Sequence, residues 1–424
     1  MSVALVLALA IPAAATLGCS PGTRHSTRSD ASTTLESTAV PAALDAEAST
    51  APRLPRSMTI TETRMPDFSV GEFELPPGCE VTDNTDSLAA YAQNTGRQYP
   101  TSVFGLMDLA SGKQRIVLTE PAGTERSFDA FTPMLSDDWL AWEEVSAGEA
   151  SAMRDAKWRL YAARIDRTQL RIGSPVLVDE ASTDYKLRPH YGVEGSVVYW
   201  SVSTVPSRRQ EYIATSGRVM ALDLATGERH TLHEGTRTLV SLKSSGDCVI
   251  AIEGPDPSAG DSAYRAIALD ATTGDVVLEQ DLAIRSRPAH FADYANGWLA
   301  WTPFALAGAE WPALYARHPD GSVTLLGLDS IDPVFFGRFL VFESIATTRP
   351  AGGLQNRLRQ IWGLDTARPG ERFRLLQTSG QEGWWQTTRA GLTRGTLVLW
   401  NDLGPWLEDQ TRARTLVRVY RAFE

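Results

Sequence analysis

Two histidines with similar neighbours are the residues best suited to chemistry in this chain. They lie in the segments 188–190 and 287–290, each of which begins Arg-Pro. Imidazole binds metal ions and transfers protons near neutral pH, so His190 and His290 could hold a metal with a nearby carboxylate. Two histidines are an incomplete ligand set, and structural, hydrogen-bonded imidazoles are the simpler interpretation. The sequence therefore predicts no metal site, no cofactor and no assigned catalytic residue.

Other reactive groups also lack the spacing that a reaction needs. No G-x-S-x-G motif follows a strand pattern, which argues against a serine hydrolase of the α/β class. Glu143 and Glu144 are adjacent on a predicted strand, so they point to opposite faces and cannot act as paired catalytic acids. Cys79 and Cys248 lie in distant repeats, which favours two isolated thiols over a disulfide.

The element that must position these residues recurs seven times. A turn-forming residue is followed five positions later by an aromatic residue, or by alanine in the fourth copy. The copies, 41 to 58 residues apart, are Asp86 and Tyr91, Asp137 and Trp142, Gly195 and Trp200, Gly246 and Ala251, Asn296 and Trp301, Gly337 and Phe342, and Gly395 and Trp400. A period of about 50 residues predicts a radial array of sheets that bury their faces against one another. The sequence thus predicts an all-β fold, a β-propeller of seven four-stranded blades.

A second turn recurs between the third and fourth strands of the predicted blades. It occupies residues 108–113, 223–228 and 270–275, each with aspartate first and glycine fifth. Glycine allows a positive φ and aspartate bonds to nearby backbone amides, so these segments are predicted to be hairpin turns. The tryptophans of the first pattern recur in register, which predicts packing between blades rather than stacking on a sugar.

Residues 133–142 carry a family resemblance. They resemble the Pro-x-x-Ser-Pro-Asp-Gly-x-x-Leu-Ala-Phe signature of TolB-like (WD40-like) propeller repeats, and residues 332–342 resemble it more faintly. The resemblance implies a propeller over residues 75–424 and implies no catalytic residue. TolB itself is described as having six blades and an additional domain, whereas this chain has seven copies of the repeat.

Closure of the ring requires a strand from the N-terminal part of the chain. The seventh copy ends at its third strand, residues 416–423, so no residues are left for a fourth. An N-terminal strand, either 58–63 or 72–75, is predicted to complete the last blade and so remove an open edge.

The N-terminal residues predict export. Residues 1–19 contain an apolar run followed by a segment that resembles the lipobox of bacterial lipoproteins, which implies lipidation of Cys19. The alternative is cleavage of the signal peptide near Ala15 without lipidation, which would give a secreted or periplasmic protein. Residues 20–56 are rich in Ser, Thr, Ala and Pro and predict a disordered tether, so the propeller would occupy 57–424. The net charge of −11 argues against binding to nucleic acid.

One face of the predicted propeller carries long connections. They include residues 146–157, 204–216, 254–263, 302–311, 344–357 and 401–413, and we call this the long-connection face. Loops on a rigid scaffold are the usual place for recognition, so a protein or glycan partner is expected there. The candidate contacts are Arg188, His190, Arg208, Arg209, Tyr212, Arg287, His290, Trp311, Arg349, Arg357, Trp384, Trp385, Trp406 and Asp409.

These features favour a non-enzymatic binding or scaffolding module at a bacterial cell envelope, attached to the membrane through Cys19. The alternative is a propeller enzyme, a lyase or hydrolase acting on an acidic or cell-wall polysaccharide. It would use His190, His290 and the flanking arginines in the channel, in a manner similar to propeller lyases of uronic-acid polymers. Packing against sister subunits of an envelope complex is a form of binding that the sequence does not separate from the first.

Overall fold

The computed structural model describes fifteen stretches of the chain: residues 56–57, 60–93, 103–123, 128–146, 157–181, 187–204, 216–256, 263–282, 291–302, 313–328, 330–345, 359–378, 385–387, 395–403 and 413–422. Their regular structure is entirely β, and it forms seven sheets arranged as a seven-bladed β-propeller. The fold class predicted from the repeat is therefore confirmed. Within these stretches there is no helix long and apolar enough to cross a membrane.

Each blade is an antiparallel sheet whose first strand lies innermost. Blades 1 to 4 contain β4 (Cys79–Asn84), β5 (Leu88–Gln93), β6 (Val103–Asp108) and β7 (Gln114–Leu118); β8 (Phe128–Leu135), β9 (Trp139–Ser146), β10 (Trp158–Asp166), β11 (Arg171–Ile172) and β12 (Val176–Glu180); β13 (Tyr191–Glu194), β14 (Val197–Thr204), β15 (Ser216–Asp223) and β16 (Arg229–Gly235); and β17 (Leu239–Ser245), β18 (Cys248–Glu253), β19 (Arg265–Asp270) and β20 (Val276–Asp281). Blades 5 to 7 contain β21 (Phe291–Ala295), β22 (Trp298–Thr302), β23 (Ala313–Arg317) and β24 (Val323–Leu328); β25 (Ser330–Phe336), β26 (Phe339–Ile345), β27 (Arg359–Asp365) and β28 (Glu371–Thr378); and β29 (Gln386–Thr387), β30 (Thr396–Asp402) and β31 (Thr415–Ala422).

The hairpin turns form where the sequence predicts them. In the turn after β15, Asp223 Oδ1 accepts a hydrogen bond of 2.8 Å from the Ala225 amide, and Gly227 has a φ of 77°. That φ lies in the left-handed region, which glycine adopts at no steric cost. The turns after β6 and β19 repeat this arrangement, so one end of the propeller is capped by short, internally bonded turns.

The two segments with the family resemblance share a backbone irregularity. Thr132 and Asp332 have positive φ values of 44° and 52°, and each precedes a proline in an inner strand. The pairing register shifts at both points, between Phe131 and Met134 and across the matching part of β25. A bulge bends the strand and re-aims its side chains, which gives the recurring proline a structural reason.

The ring is closed by β3 (Phe68–Leu75), an N-terminal strand that pairs antiparallel with β31 as the outer strand of blade 7. Of the two predicted closing segments, 72–75 lies in this strand. The other, 58–63, does not close the ring, since β2 (Thr61–Thr63) pairs in parallel with β28 on the rim of blade 6. The still earlier β1 (Arg56–Ser57) pairs in parallel with β24 on the rim of blade 5. We call residues 56–75 the strap.

The core lies in the spaces between blades. Trp142 of blade 2 packs with Leu88, Phe104 and other buried residues of blade 1, and Trp200 packs in the same way against blade 2. Both indoles are fully buried, and Trp301 and Trp400 are 3% exposed. The prediction that the recurring tryptophans pack between blades is confirmed, since a buried ring cannot stack on a ligand.

Candidate binding face

The two ends of the propeller differ in the length of their connections. Turns within the strand pairs 1–2 and 3–4 lie at one end and are short in blades 1 to 6, as in residues 195–196 and 224–228. The connections from strand 2 to strand 3 lie at the opposite end and run to between nine and 13 residues. They are residues 94–102, 147–157, 205–215, 254–264, 303–312, 346–358 and 403–414. This end is the long-connection face.

Arg188 lies on this face, just before the inner strand of blade 3, and forms a buried ion pair with blade 2. Its Nη2 and Nε are 2.6 and 3.0 Å from the two carboxylate oxygens of Glu143. The two side chains are 10% and 5% exposed. Such a bidentate ion pair fixes both the position and the orientation of the two side chains. The Arg188 guanidinium is therefore already paired with a carboxylate, and this ion pair joins two blades.

Neighbouring groups hold this ion pair in place. The Arg188 guanidinium lies over the ring of Phe131, 5.2 Å from its centroid. The Tyr191 hydroxyl accepts a hydrogen bond from the Glu143 amide and donates one of 2.6 Å to the Thr132 carbonyl oxygen. Burial opposes the charge on Arg188, but Glu143 more than offsets it, so the pKa of Arg188 is raised above its ordinary value. The cation is permanent.

His190 lies two residues further on, at the edge of the sheet of blade 3. Its backbone pairs with Ser201, whose hydroxyl accepts a 2.9 Å hydrogen bond from the His190 amide. The side chain is half-buried. Of the other predicted contacts, only Trp385 is described, and it is buried in the core between blades 6 and 7. Arg208, Arg209, Tyr212, Arg287, His290, Trp311, Arg349, Arg357, Trp384, Trp406, Asp409 and Cys19 lie outside the described residues.

A second buried carboxylate lies on the same face in blade 4. Glu253 Oε2 is 2.8 and 2.7 Å from Nε and Nη2 of Arg265, and 3.9 Å from Nε of Arg237. His233 Nε2 lies 3.7 Å from the other oxygen. Burial opposes the charge on Glu253, but His233 and Arg265 more than offset it, so the pKa of Glu253 is lowered. This cluster joins the outer strand of blade 3 to blade 4.

A third buried pair lies in the inner strands. Lys243 Nζ of blade 4 is 2.9 Å from Asp293 Oδ2 of blade 5. The same oxygen accepts a 2.8 Å hydrogen bond from the Phe335 amide of blade 6, so Asp293 connects three blades. Burial raises the pKa of Asp293 above its ordinary value, although Lys243 opposes the shift. The pair is structural because both groups are already bonded.

The adjacent carboxylates behave as the alternation of a strand predicts. Glu143 faces Arg188 of blade 3, whereas Glu144 accepts hydrogen bonds from Trp142 Nε1 and from the Ala122 amide after blade 1. The two therefore lie in different spaces between blades, and the prediction is confirmed. Cys79 and Cys248 are both free thiols, in blades 1 and 4, and burial raises the pKa of Cys79 to about 12.

Sequence reasoning missed Glu143 and Glu253 as the carboxylates of this face. A comparison of the repeats column by column gives one signal: the residue after the recurring aromatic is polar and buried in five blades. These residues are Glu143, Ser201, Thr302, Glu343 and Asn401. In the described part of the chain no three His, Cys, Asp or Glu side chains cluster closely enough to hold a metal ion.

The comparisons with known proteins concern the fold. No protein-family model matches the chain, and no curated protein matches it. One similar solved structure is an oligogalacturonate lyase in complex with manganese, with 12% identity, a TM-score of 0.47, and coverage of 86% of this chain and 99% of the other. A puromycin hydrolase is also 12% identical, with a TM-score of 0.45 and coverage of 77% and 50%. The WD40 domain of Neurospora crassa Pan2 is 12% identical, with a TM-score of 0.42 and coverage of 81% and 89%.

Proposed function

We propose that this chain is a TolB-like, exported and lipid-anchored propeller that holds a protein or glycan partner on its long-connection face at a bacterial cell envelope. The single observation that supports the proposal most is the difference between the two ends. In blades 1 to 6 one end carries short turns, of which those after β6, β15 and β19 are bonded internally, while all seven of the long strand 2 to strand 3 connections leave from the other end. Recognition loops need this kind of rigid base.

The described part of that face supports binding through the way it is braced. Arg188 and Glu143 join blades 2 and 3, and the Glu253 cluster joins blades 3 and 4, at the strand ends from which the connections leave. A base that does not deform lets loops bind without a large ordering cost. The partner would contact the connections, and the ion pairs would keep those connections at fixed separations.

The test is capture of envelope partners by the full-length protein, with one variant on each face. The long-connection variant replaces with alanine the residues Arg208, Arg209, Trp311 and Trp406. Aromatic and arginine side chains carry much of the energy of binding surfaces, so this variant is expected to lose a partner that the wild type retains. Circular dichroism and a thermal melt confirm that the variant is folded.

The matched control replaces four exposed residues of the short turns at the opposite end with alanine. They are Lys113, Thr168, Glu228 and Thr272. This variant is expected to capture the same partner as the wild type. Equal capture by both variants would contradict the assignment of the face.

The anchor has its own test. Replacement of Cys19 with alanine is expected to move the protein from the membrane fraction to the soluble fraction and to abolish incorporation of a labelled fatty acid. A Cys248→Ala variant is the control, since Cys248 lies within the propeller. Membrane association of the Cys19 variant at the wild-type level would contradict the anchor and leave the binding face untouched.

A further inference from the structure

The exposed large hydrophobic side chains of the described residues all lie in outermost strands. They are Val70, Ile116, Val176, Leu177, Val276 and Val277. Two adjacent pairs stand out, one in β12 of blade 2 and one in β20 of blade 4, where Val276 and Val277 are 45% and 51% exposed. An outermost strand also presents unpaired backbone groups, so an apolar edge of this kind is a template for another strand.

The strap demonstrates what such an edge binds in this molecule. Residues 61–63 lie along the first half of β28, with Thr61 opposite Glu371 and Thr63 opposite Phe373. Glu62 forms an ion pair of 2.8 Å with Arg374 of that strand. In blade 7, Glu72 of β3 pairs in the same way with Arg418 at 2.7 Å. In both blades an acidic strand of the strap thus docks on a strand that carries arginine.

Blade 4 presents the opposite charge. Its outer strand β20 begins with the two exposed valines and continues with the acidic residues Glu279 and Asp281, both exposed. Glu279 is already paired with Arg265 of the neighbouring strand β19, so Asp281 supplies the charge at this end of the edge. Asp275, at the end of the preceding turn, is exposed as well. Among the described residues β20 is the last strand of its sheet, beyond β19. The edge therefore combines an apolar start with negative charge.

The edge of blade 2 is less suited to the same role. Its outer side is divided between β11 and β12, which both pair with β10. Asp179 of β12 is also committed to blade 3, because it accepts a 2.9 Å hydrogen bond from Trp200 Nε1 and pairs with Arg229 at 3.1 Å. Blade 4 has one continuous outer strand.

A second copy of this chain would be a poor occupant. Two β20 edges paired with each other would place Glu279 and Asp281 close to like charges, which is destabilising across strands. The overall charge of −11 adds to the repulsion. A basic partner, in contrast, is attracted to the same carboxylates.

We propose that the edge of β20 is a docking site for an extended segment of a partner protein whose side chains are aliphatic at one end and basic at the other. The segment adds a fifth strand to blade 4 through main-chain hydrogen bonds. Val277, Glu279 and Asp281 are spaced two residues apart and share one face of β20, so every second side chain of the segment lies beside them: aliphatic next to the valine and basic next to the acidic end. This surface is separate from the long-connection face.

The probe is a fluorescent peptide with valine at alternate positions of one half, lysine at alternate positions of the other half and serine between them, titrated into the full-length protein and followed by anisotropy. Val277→Lys is expected to weaken binding about tenfold or more, because it removes apolar contact and adds like charge. The matched control is Val70→Lys, since Val70 is similarly exposed, at 48%, in the outer strand of blade 7. It is expected to bind as the wild type does.

Two further probes separate edge pairing from charge attraction. A peptide with N-methyl groups on alternate amides cannot complete the main-chain bonds and is expected not to bind. A peptide in which glutamate replaces each lysine of the probe is also expected not to bind. Equal affinity of wild type and Val277→Lys, or full binding of the N-methylated peptide, would overturn the proposal.

Two results would assign the edge to another occupant and equally overturn the proposal. One is a concentration-dependent dimer in sedimentation that Val277→Lys abolishes, which would make the occupant a second copy. The other is a marked gain in peptide affinity on deletion of residues 20–50, which would make the occupant this chain's own N-terminal segment.

Discussion

Glu143 and Glu253 are buried glutamates at the same end of the second strand of their blades, yet they face opposite neighbours. Glu143 directly follows the recurring aromatic position and meets Arg188 of the next blade. Glu253 lies one position further and meets Arg237 and His233 on the side of the preceding blade, together with Arg265 of its own blade. A shift of one residue on a strand thus selects which space between blades a charge occupies.

The two glutamates also differ in how their charge is balanced. Among the residues that the structure describes, Glu143 has one cationic partner, 10% exposed, whereas Glu253 is surrounded by side chains that are 8%, 20% and 26% exposed. A single buried pair depends wholly on its one partner. A cluster with access to water can lose a member and still be solvated. The two sites are therefore expected to lose different amounts of stability when one charge is removed from each.

The largest effect is expected from Arg188→Ala. It leaves the Glu143 carboxylate buried without its counter-ion, which costs about 3 to 5 kcal/mol. The free energy of unfolding in urea measures the loss. The matched control is the double variant Glu143→Leu with Arg188→Met, in which neither charge remains and stability is expected near that of the wild type. Equal losses of unfolding free energy in the single and double variants would contradict the conclusion that the buried Glu143 carboxylate depends on Arg188.

A smaller effect is expected from Glu253→Gln. Arg265 also pairs with Glu279 and keeps contact with water, so the loss is expected to be about 1 to 3 kcal/mol. The same urea titration gives the value. A loss larger than that of Arg188→Ala would reverse the ranking of the two sites.

The pH dependence of stability separates the two sites further. The folded-state pKa of Glu253 is lowered, so its contribution is present above the unfolded pKa of about 4.3 and is lost as the pH falls through the folded-state value. The stability difference between the wild type and Glu253→Gln is therefore expected to shrink as the pH falls from about 5 through the lowered folded-state pKa of Glu253. Urea midpoints across that range measure it. A difference that stays constant would remove the carboxylate as its source.

The smallest effect is expected from Tyr191→Phe. It removes the hydroxyl that accepts from the Glu143 amide and donates to Thr132, but it leaves the ion pair intact. The expected loss is about 1 kcal/mol. Thermal unfolding detects it as a small shift. A loss as large as that of Arg188→Ala would mean that the tyrosine, and not the arginine, holds Glu143.

Periodicity explains why the blades were predictable from the sequence. The turn residue and the aromatic five positions later are local signals, repeated seven times, so Gly195 and Trp200 identified a strand that the structure has at Val197–Thr204. The sequence left two candidate segments for the closing strand, because polar rim strands such as β2 and β3 have similar sequence patterns.

The braces of the candidate face could not be predicted in the same way. Arg188 and Glu143 are 45 residues apart and belong to different blades, so no local pattern joins them. To predict the ion-pair cluster of Glu253, one must know to which side of β18 its side chain points. Only the fold supplies that direction.

The strap has a consequence for the order of assembly. Glu72 pairs with Arg418 across 346 residues of sequence, so blade 7 can be completed only after almost the whole chain is present. Contacts of such long range are slow to form, because the chain must first lose the entropy of a very large loop. The other six blades each contain all four of their strands within one stretch of chain. Ring closure is therefore the late step, because the N-terminal strand β3 cannot pair until the C-terminal strand β31 is present.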